Sequence, residues 1–562
     1  MKTKNTHWHL STDENDIGWL SLDKKDSSTN TLSTEVLLEL ETIVDSLAQH
    51  PVKGLIFQSV KPSGFIAGAD VNEFTTFQSE SDALTAIERG QSIFNKIEEL
   101  PFPTLALIKG YCLGGGMELA LACTYRIAEN SESTKLGLPE VKLGIHPGFG
   151  GTVRAFRLLD PLKAFDLILS GRNLSASAAK HIGLIDFAVP ERHLLNAARE
   201  TVLKTSKQKK QNILGLLLNH RLARPYVARF ITKNVAKKAV RNHYPAPYAV
   251  IDLWQHHFDN KKTMMKEEAA SVARLIVGKT AQNLIRVFKL QELLKSQGNS
   301  VSFQPEQIHV IGAGIMGGDI AIWCAMQGYK VTLQDTKHES LARVMQRANK
   351  LYQQKLKKAR LVTAALDRLT PDMHGNGLKR ADVVIEAIFE DIETKRRLFE
   401  NIEPKIKETA LIATNTSSIP LEKLSTSLNH PERLVGLHFF NPVAKMPLVE
   451  IIHGEQTSPE VITQASTFTK QIRRLPLPVK SSPGFLVNRI LMPYLIEAVT
   501  LADEGIPLKA IDDAAVDFGM PMGPIELADT VGLDICLNVA EILSTSMNIS
   551  VPEKLKQLVD TN

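Results

Sequence analysis

At 562 residues the chain is too long for one hydrophobic core, and length alone points to about three or four domains. A composition of 43% hydrophobic and 23% charged residues is that of an ordinary globular protein, and the small net charge of +5 excludes the strong basic bias of a nucleic-acid binder while allowing an anionic substrate. Cys112, Cys123, Cys324 and Cys536 are too scattered for a disulfide framework or a zinc site, so no metal is expected. Residues 1–20 carry polar groups throughout with no apolar core of a signal sequence, and no window approaches the ~18 apolar residues of a membrane span; a cytoplasmic setting is expected.

Residues 1–190 read as an α/β domain. Short apolar strands are predicted at 54–60 and 104–109, each entering a glycine-bearing loop, 65–70 and 110–116. A small-residue helix is predicted over 117–128, and a strand-like stretch precedes Gly137-Leu138-Pro139-Glu140. Residues 191–304 form a helical extension. Its basic stretch at 233–241 reads as a solvated face, and 262–295 reads as one long amphipathic linker helix, stopped by Ser-Gln-Gly-Asn-Ser and Pro305. A βαβ pattern begins at Ile308 and recurs to about Ile452 within a domain of 305–482, and 483–562 is helical. There is no short-period repeat and no low-complexity tract.

Two groups of residues carry chemistry. In the first, Gly114-Gly115-Gly116-Met117-Glu118 opens a helix, and Glu140 follows Glu118 by 22 residues. Adding water to a conjugated thioester requires N–H groups aimed at the thioester oxygen and two carboxyl groups in different protonation states. Gly115, at the positive end of the helix, and Ala69, after the turn at Gly68, can supply the N–H groups; Glu118 and Glu140 can supply the acid and base. Taken alone, a Gly-Gly-Gly-x-Glu string is more often a helix start with a solvated glutamate. The glycine loops on both sides of it argue against that reading.

In the second group, a strand enters Gly312-Ala313-Gly314-Ile315-Met316-Gly317, a helix follows, and a second strand ends at Asp335, 18 residues after Gly317. Gly312 permits the turn, Gly314 admits a pyrophosphate, Gly317 allows close helix–strand packing, and Asp335 can accept both ribose hydroxyls, so NAD is the expected cofactor. His438 follows an apolar run and Glu450 follows Pro447-Leu448-Val449, as if neighbouring strands delivered both to one edge. Such a pair suits a base that removes the proton of a secondary alcohol. A histidine in an apolar run is more often a core residue; the NAD pattern upstream favours catalysis here. His146, His256 and His257 read as structural or surface residues.

The strings FIAGAD, GYCLGGGMELALAC and LGLPEVKLGIHPGFGGT resemble the enoyl-CoA hydratase/isomerase (crotonase) superfamily. The resemblance implies an oxyanion hole from the N–H groups of Ala69 and Gly115, with Glu118 and Glu140 as acid/base residues. Both glutamates being present favours a hydratase, with isomerase or epimerase side activity at the same residues. VIGAGIMG, ADVVIEAIFE, TNTSSI, GLHFFNP, PLVEII and SPGFLVNRI resemble the 3-hydroxyacyl-CoA dehydrogenases. By that resemblance His438 is the base and Glu450 its partner, and Ser417 and Asn488 bond the substrate's reacting end. Gly312, Gly314, Met316, Gly317, Asp335, Glu390, Lys395, Ser417 and Asn441 would contact NAD.

The whole order is similar to the α subunits of fatty-acid oxidation complexes, the bacterial anaerobic type above all. It implies a crotonase-like domain, a helical linker, a Rossmann domain and an all-helical C-terminal domain. The implied substrates are acyl-CoA thioesters, and the implied partner is a thiolase β subunit in a hetero-oligomer. It also implies a second copy of the helical domain beyond Asn562, so the expectation at 483–562 is an incomplete domain. Two other readings stay open: a hydratase with a disabled dehydrogenase half, and a non-catalytic assembly subunit for a thiolase.

Overall fold

The computed structural model describes residues 6–204, 213–298, 303–547 and 550–561. The chain divides into two compact units, 1–289 and 290–562, each with cores of its own.

The first unit is built on a six-stranded sheet. Its strands are β1 (Trp8–Thr12), β2 (Ile17–Leu22), β3 (Gly54–Ser59), β5 (Thr104–Ile108), β7 (Tyr125–Glu129) and β9 (Phe187–Val189), hydrogen-bonded in that order. Only the β1–β2 pair is antiparallel. Between them fall three short strands, β4 (Gly64–Ile66), β6 (Tyr111–Leu113) and β8 (Lys135–Gly137), which form a parallel sheet of their own. The chain therefore makes the same step three times: β3 leads to β4, β5 to β6, and β7 to β8. Because the short strands run parallel, with one irregularity in the β4–β6 pair between Gly64 and Ile66, the loops that leave their C-terminal ends come side by side. Those loops begin at Ala67, Gly114 and Leu138. Helices Thr34–Gln49 and Glu80–Glu98 cover the core; the second is started by a reciprocal cap between Ser79 and Asp82 that is worth ~1 kcal/mol.

Two expectations are corrected in this unit. The helix expected over 117–128 runs only from Gly115 to Ala122. Its small-residue pattern ends at Cys123, whose backbone is extended, and Tyr125-Arg126-Ile127 pair with β5 instead, where aromatic and β-branched residues fit the pleat. The single linker helix expected over 262–295 is two helices, Lys261–Ile276 and Lys279–Ser296. The break falls at Gly278, a residue that costs a helix interior about 1 kcal/mol relative to alanine, and its N–H turns back to the Leu275 carbonyl. The second helix ends at Ser296 as the expected stop signal requires; Asn299 and Ser300 of that signal lie outside the described residues.

The second unit holds an eight-stranded sheet. In chain order its strands are β10 (Gln307–Ile311), β11 (Lys330–Gln334), β12 (Leu369–Asp372), β13 (Val383–Glu386), β14 (Leu411–Thr414), β15 (Leu434–Phe439), β16 (Leu448–His453) and β17 (Leu475–Lys480). Their spatial order is β12-β11-β10-β13-β14-β15-β16-β17. The first six strands are parallel and place the earliest one in the middle, the doubly wound order that opens a crevice beyond the C-terminal end of β10. The direction reverses at β16, which pairs antiparallel with β15. Val383-Val384-Ile385 and Leu411-Ile412-Ala413 are buried on both faces, as covered parallel strands must be. After β17 come helices Val487–Asp503, Leu508–Phe518, Pro524–Val531, Leu533–Met547 and Glu553–Asp560, with a small core around Met492, Leu495, Ala540 and Leu543. No described helix is long and apolar enough to cross a membrane.

Candidate active sites

In the first unit the loops after β4, β6 and β8 line one cavity, together with Phe149, Val272 and Ile276. Gly114 has φ +51° and turns the chain into the helix Gly115–Ala122. A methyl group at Gly115 would stand 3.3 Å from the Ala69 amide nitrogen, so the two residues singled out in the sequence lie side by side. Among the described residues neither donates a hydrogen bond to the protein backbone.

Glu118 and Glu140 reach the same cavity and are held differently. Glu118 is 3% exposed, and its Oε1 accepts the N–H groups of Phe149 at 2.8 Å and Gly151 at 2.9 Å. Burial pushes its carboxyl up to about 7, against the pull of those amides and of Arg154. Both carboxyl oxygens of Glu140 are buried and bond to nothing among the described residues. Burial first, then the charge of Glu118, pushes Glu140 well above the ordinary carboxyl range. Two acids with environments this unlike are suited to opposite roles.

Two residues, one bonded to the turn behind the cavity and one in its wall, escape a linear reading. Glu268, fully buried on the helix Lys261–Ile276, accepts N–H groups from Gly150 at 2.6 Å and Val153 at 3.0 Å. The signal was its place in the apolar row Met264-Glu268-Val272-Ile276 at four-residue spacing, where a lone acid must find partners inside the core. His146, read from sequence as structural, stands in the cavity wall with Nδ1 near the Pro147 carbonyl and Nε2 2.9 Å from the Ser271 hydroxyl. Burial lowers its pKa to about 4, so it is neutral at neutral pH.

In the second unit the glycine turn leaves β10 at Gly312, where φ is +106°; a methyl group there would strike the Ala387 carbonyl oxygen. One at Gly317 would lie 2.0 Å from the Gly312 carbonyl oxygen, whereas above Gly314 there is open space. The helix Ile315–Met326 starts directly after, with its N-terminal N–H groups at the turn. Met316 is half-buried against the core of this unit. Asp335 directly follows β11 and accepts the Ala313 and Lys337 amides at 2.7 and 2.8 Å, which fastens it beside the glycine turn. An open cradle, a helix N-terminus and an acid at the neighbouring strand end fit the pyrophosphate and ribose of NAD.

Glu390 and Lys395 tie two loops beyond β13 and β14. The buried Lys395 ammonium lies 2.6 Å from Glu386 and 3.2 Å from Glu390. Glu390 accepts the Thr416 hydroxyl at 2.6 Å and the Ser417 amide at 2.8 Å, and Lys395 and these donors hold its carboxyl below the usual range against its burial. Ser417 in turn accepts a long bond at its carbonyl, 3.5 Å, from Asn488 Nδ2. Asn441 is exposed just past β15.

His438 and Glu450 are direct partners across the antiparallel β15–β16 pair. His438 Nδ1 lies 2.7 Å from Glu450 Oε2, and the other carboxylate oxygen accepts the Leu486 and Val487 amides, both at 2.9 Å. With two amides already donating to it, Glu450 acts as an acceptor and takes a third hydrogen bond from the Nδ1–H of the imidazole. That leaves Nε2, which has no hydrogen-bond partner among the described residues, as the acceptor, with Phe440 and Phe485 beside the ring.

Fold and sites together define an enzyme of acyl-thioester chemistry that joins a hydratase to an NAD-dependent dehydrogenase. Residues 13–244 match the enoyl-CoA hydratase/isomerase family, 307–482 the NAD-binding domain of 3-hydroxyacyl-CoA dehydrogenase, and 484–562 that enzyme's C-terminal domain. The chain belongs to the family of fatty acid oxidation complex α subunits. It is 37% identical over 547 residues to the Vibrio campbellii protein of that name, covering 95% of this chain and 77% of that one. To the Aliivibrio fischeri protein it is 39% identical, covering 98% and 82%. Among solved structures it resembles an (S)-3-hydroxybutyryl-CoA dehydrogenase from Ralstonia eutropha, with 34% identity, a TM-score of 0.44, and coverage of 46% of this chain and 94% of that one.

Proposed function

We propose that the named residues run two consecutive steps on a fatty acyl-CoA, hydration of a trans-2-enoyl-CoA and oxidation of the resulting 3-hydroxyacyl-CoA. The observation that carries the reading is the contrast between Glu118, anchored by two amides, and Glu140, buried and unbonded beside the Ala69 and Gly115 N–H pair. The thioester oxygen takes the two N–H bonds. Glu118, held as the anion by its amides, draws a proton from water as the water oxygen bonds to C3. The C2–C3 π electrons shift toward C2 and the thioester oxygen, and the proton on Glu140 passes to C2. Both glutamates then exchange protons with solvent to restore the starting state.

In the second unit, Gly312, Gly314, Met316, Gly317, Asp335, Glu390, Lys395, Ser417 and Asn441 are assigned to the cofactor crevice. NAD bound there supplies the hydride acceptor for C3. His438 Nε2 takes the hydroxyl proton, Glu450 stabilises the imidazolium that forms, and Ser417 and Asn488 hold the reacting end. Lys395 keeps the two loops closed by neutralising Glu386 and Glu390.

The domain division at 190, 304 and 482, the cytoplasmic setting and a thiolase-type partner that cleaves the 3-ketoacyl product belong to the same proposal; the family's naming as subunits of a complex supports the partner. The test supplies a 2-enoyl-CoA to the full chain with and without NAD and follows enoyl absorbance and NADH together. Enoyl loss in both cases, with NADH only when NAD is present, supports the reading. Enoyl loss without NADH, even from 3-hydroxyacyl-CoA, leaves a hydratase alone, and loss of neither refutes both steps.

A further inference from the structure

The hydratase mechanism uses two carboxyl groups, yet the first unit buries a third beside them. Glu268 comes from the helix Lys261–Ile276, beyond the stretch matched by the hydratase family. Its contacts interleave with those of Glu118 on one turn. Phe149 and Gly151 give their N–H groups to Glu118, while Gly150 and Val153 give theirs to Glu268. Gly150 at φ +90° makes this alternation possible, because it rotates successive amides to opposite sides of the turn. Gln91 adds a third donor to Glu268 at 3.2 Å and, from the same amide group, bonds the Gly148 and Met265 carbonyls at 3.0 Å.

We propose that Glu268 is a positioning residue for hydration: as an anion it clamps the 149–153 turn from behind and so fixes the amides that aim Glu118. The inference rests on the hydratase reading above and deepens it. Burial beside Glu118 pushes the Glu268 carboxyl up to about 8. The donor pattern argues the other way and decides, because both carboxyl oxygens receive N–H groups, three donors in all, and such an arrangement favours the anion. The charged groups that face it are Glu118, Glu140 and Arg154, the last shared with Glu98. His146 nearby is neutral, and the adjoining helix Ala246–His257 contributes Ile251 and Trp254 to the same core. The negative charge of Glu268 raises Glu140, which helps Glu140 keep the proton it must deliver.

The test measures hydration by the full chain as a function of pH, with denaturant unfolding of the first unit as the control for folding and NADH formation from 3-hydroxyacyl-CoA as the control for the second unit. Glu268→Gln removes the charge and sets an amide N–H against backbone N–H groups. Its hydration kcat is expected to fall about tenfold to a hundredfold with KM little changed, and the alkaline limb of its pH profile to move to lower pH, while NADH formation is unaltered. Glu268→Asp keeps the charge but shortens the reach, so kcat falls while the limb stays in place. Wild-type kcat in either variant overturns the proposal. So does a loss in Glu268→Gln that only tracks the unfolded fraction, with the limb unmoved. If the wild-type chain itself does not hydrate, the hydratase reading fails and takes this inference with it; failure of the variants alone leaves that reading standing.

Discussion

Single residues here do their work through what surrounds them. Glu450 holds His438 by one oxygen and two backbone amides by the other. Glu450→Gln brings an N–H group against one of those donors, so NADH formation from 3-hydroxyacyl-CoA is expected to drop on the order of a hundredfold to ten-thousandfold while hydration is kept. Steady-state rates of both activities on the one variant check this. His146 bears on stability. Its pKa is depressed to about 4 in the folded chain, below the ordinary value of 6.5, so protonation favours the unfolded chain. The stabilisation is complete above about pH 6.5 and is lost as pH falls toward 4, with a loss on the order of 3 kcal/mol. Denaturant unfolding of the first unit between pH 7 and 4 should show a shallower decline in His146→Gln than in wild type.

Elements set the geometry that these residues need. Three short parallel strands, β4, β6 and β8, align three loops, and the cavity follows from that alignment rather than from any one loop. In the second unit the tight spot is the packing of the first helix on β10. Gly317→Ala would place a methyl group 2.0 Å from the Gly312 carbonyl oxygen, which is backbone and cannot swing aside. The helix must lift, its N-terminal amides move, and NAD affinity is expected to weaken at least tenfold, about 1.4 kcal/mol. Fluorescence titration with NADH measures it, and hydration should be untouched. The linker shows the same logic in reverse, since the single helix expected over 262–295 is divided in two at Gly278.

At the scale of the whole molecule, each unit has its own sheet, core and site. The two activities should therefore fail separately. Glu118→Gln is expected to reduce hydration about a hundredfold to ten-thousandfold and to leave oxidation of supplied 3-hydroxyacyl-CoA at the wild-type rate. A matching loss of both activities, measured on protein with unchanged unfolding behaviour, would contradict this independence. The result would also weigh against a scaffold reading, in which neither rate depends on Glu118.

By itself the sequence determined the order of the parts, the family, the glycine turn with its strand, helix and terminal acid, and the pairs Glu118/Glu140 and His438/Glu450. These were legible because each lies within or beside a short string whose backbone demands, a positive φ or a close approach, few residues can meet. Where the helix after Gly114 stops was not legible: a short run such as Tyr125-Arg126-Ile127 can extend a helix until a neighbouring strand offers its hydrogen bonds. Nor were the opposite environments of Glu118 and Glu140, because the charge state of a buried acid depends on donors brought from other parts of the chain. Glu268 lies 150 residues after Glu118, and only the folding of a helix against that turn makes them neighbours. Local strings specify which groups are available; tertiary packing decides which of them lose water, which share a turn, and so which proton each one holds.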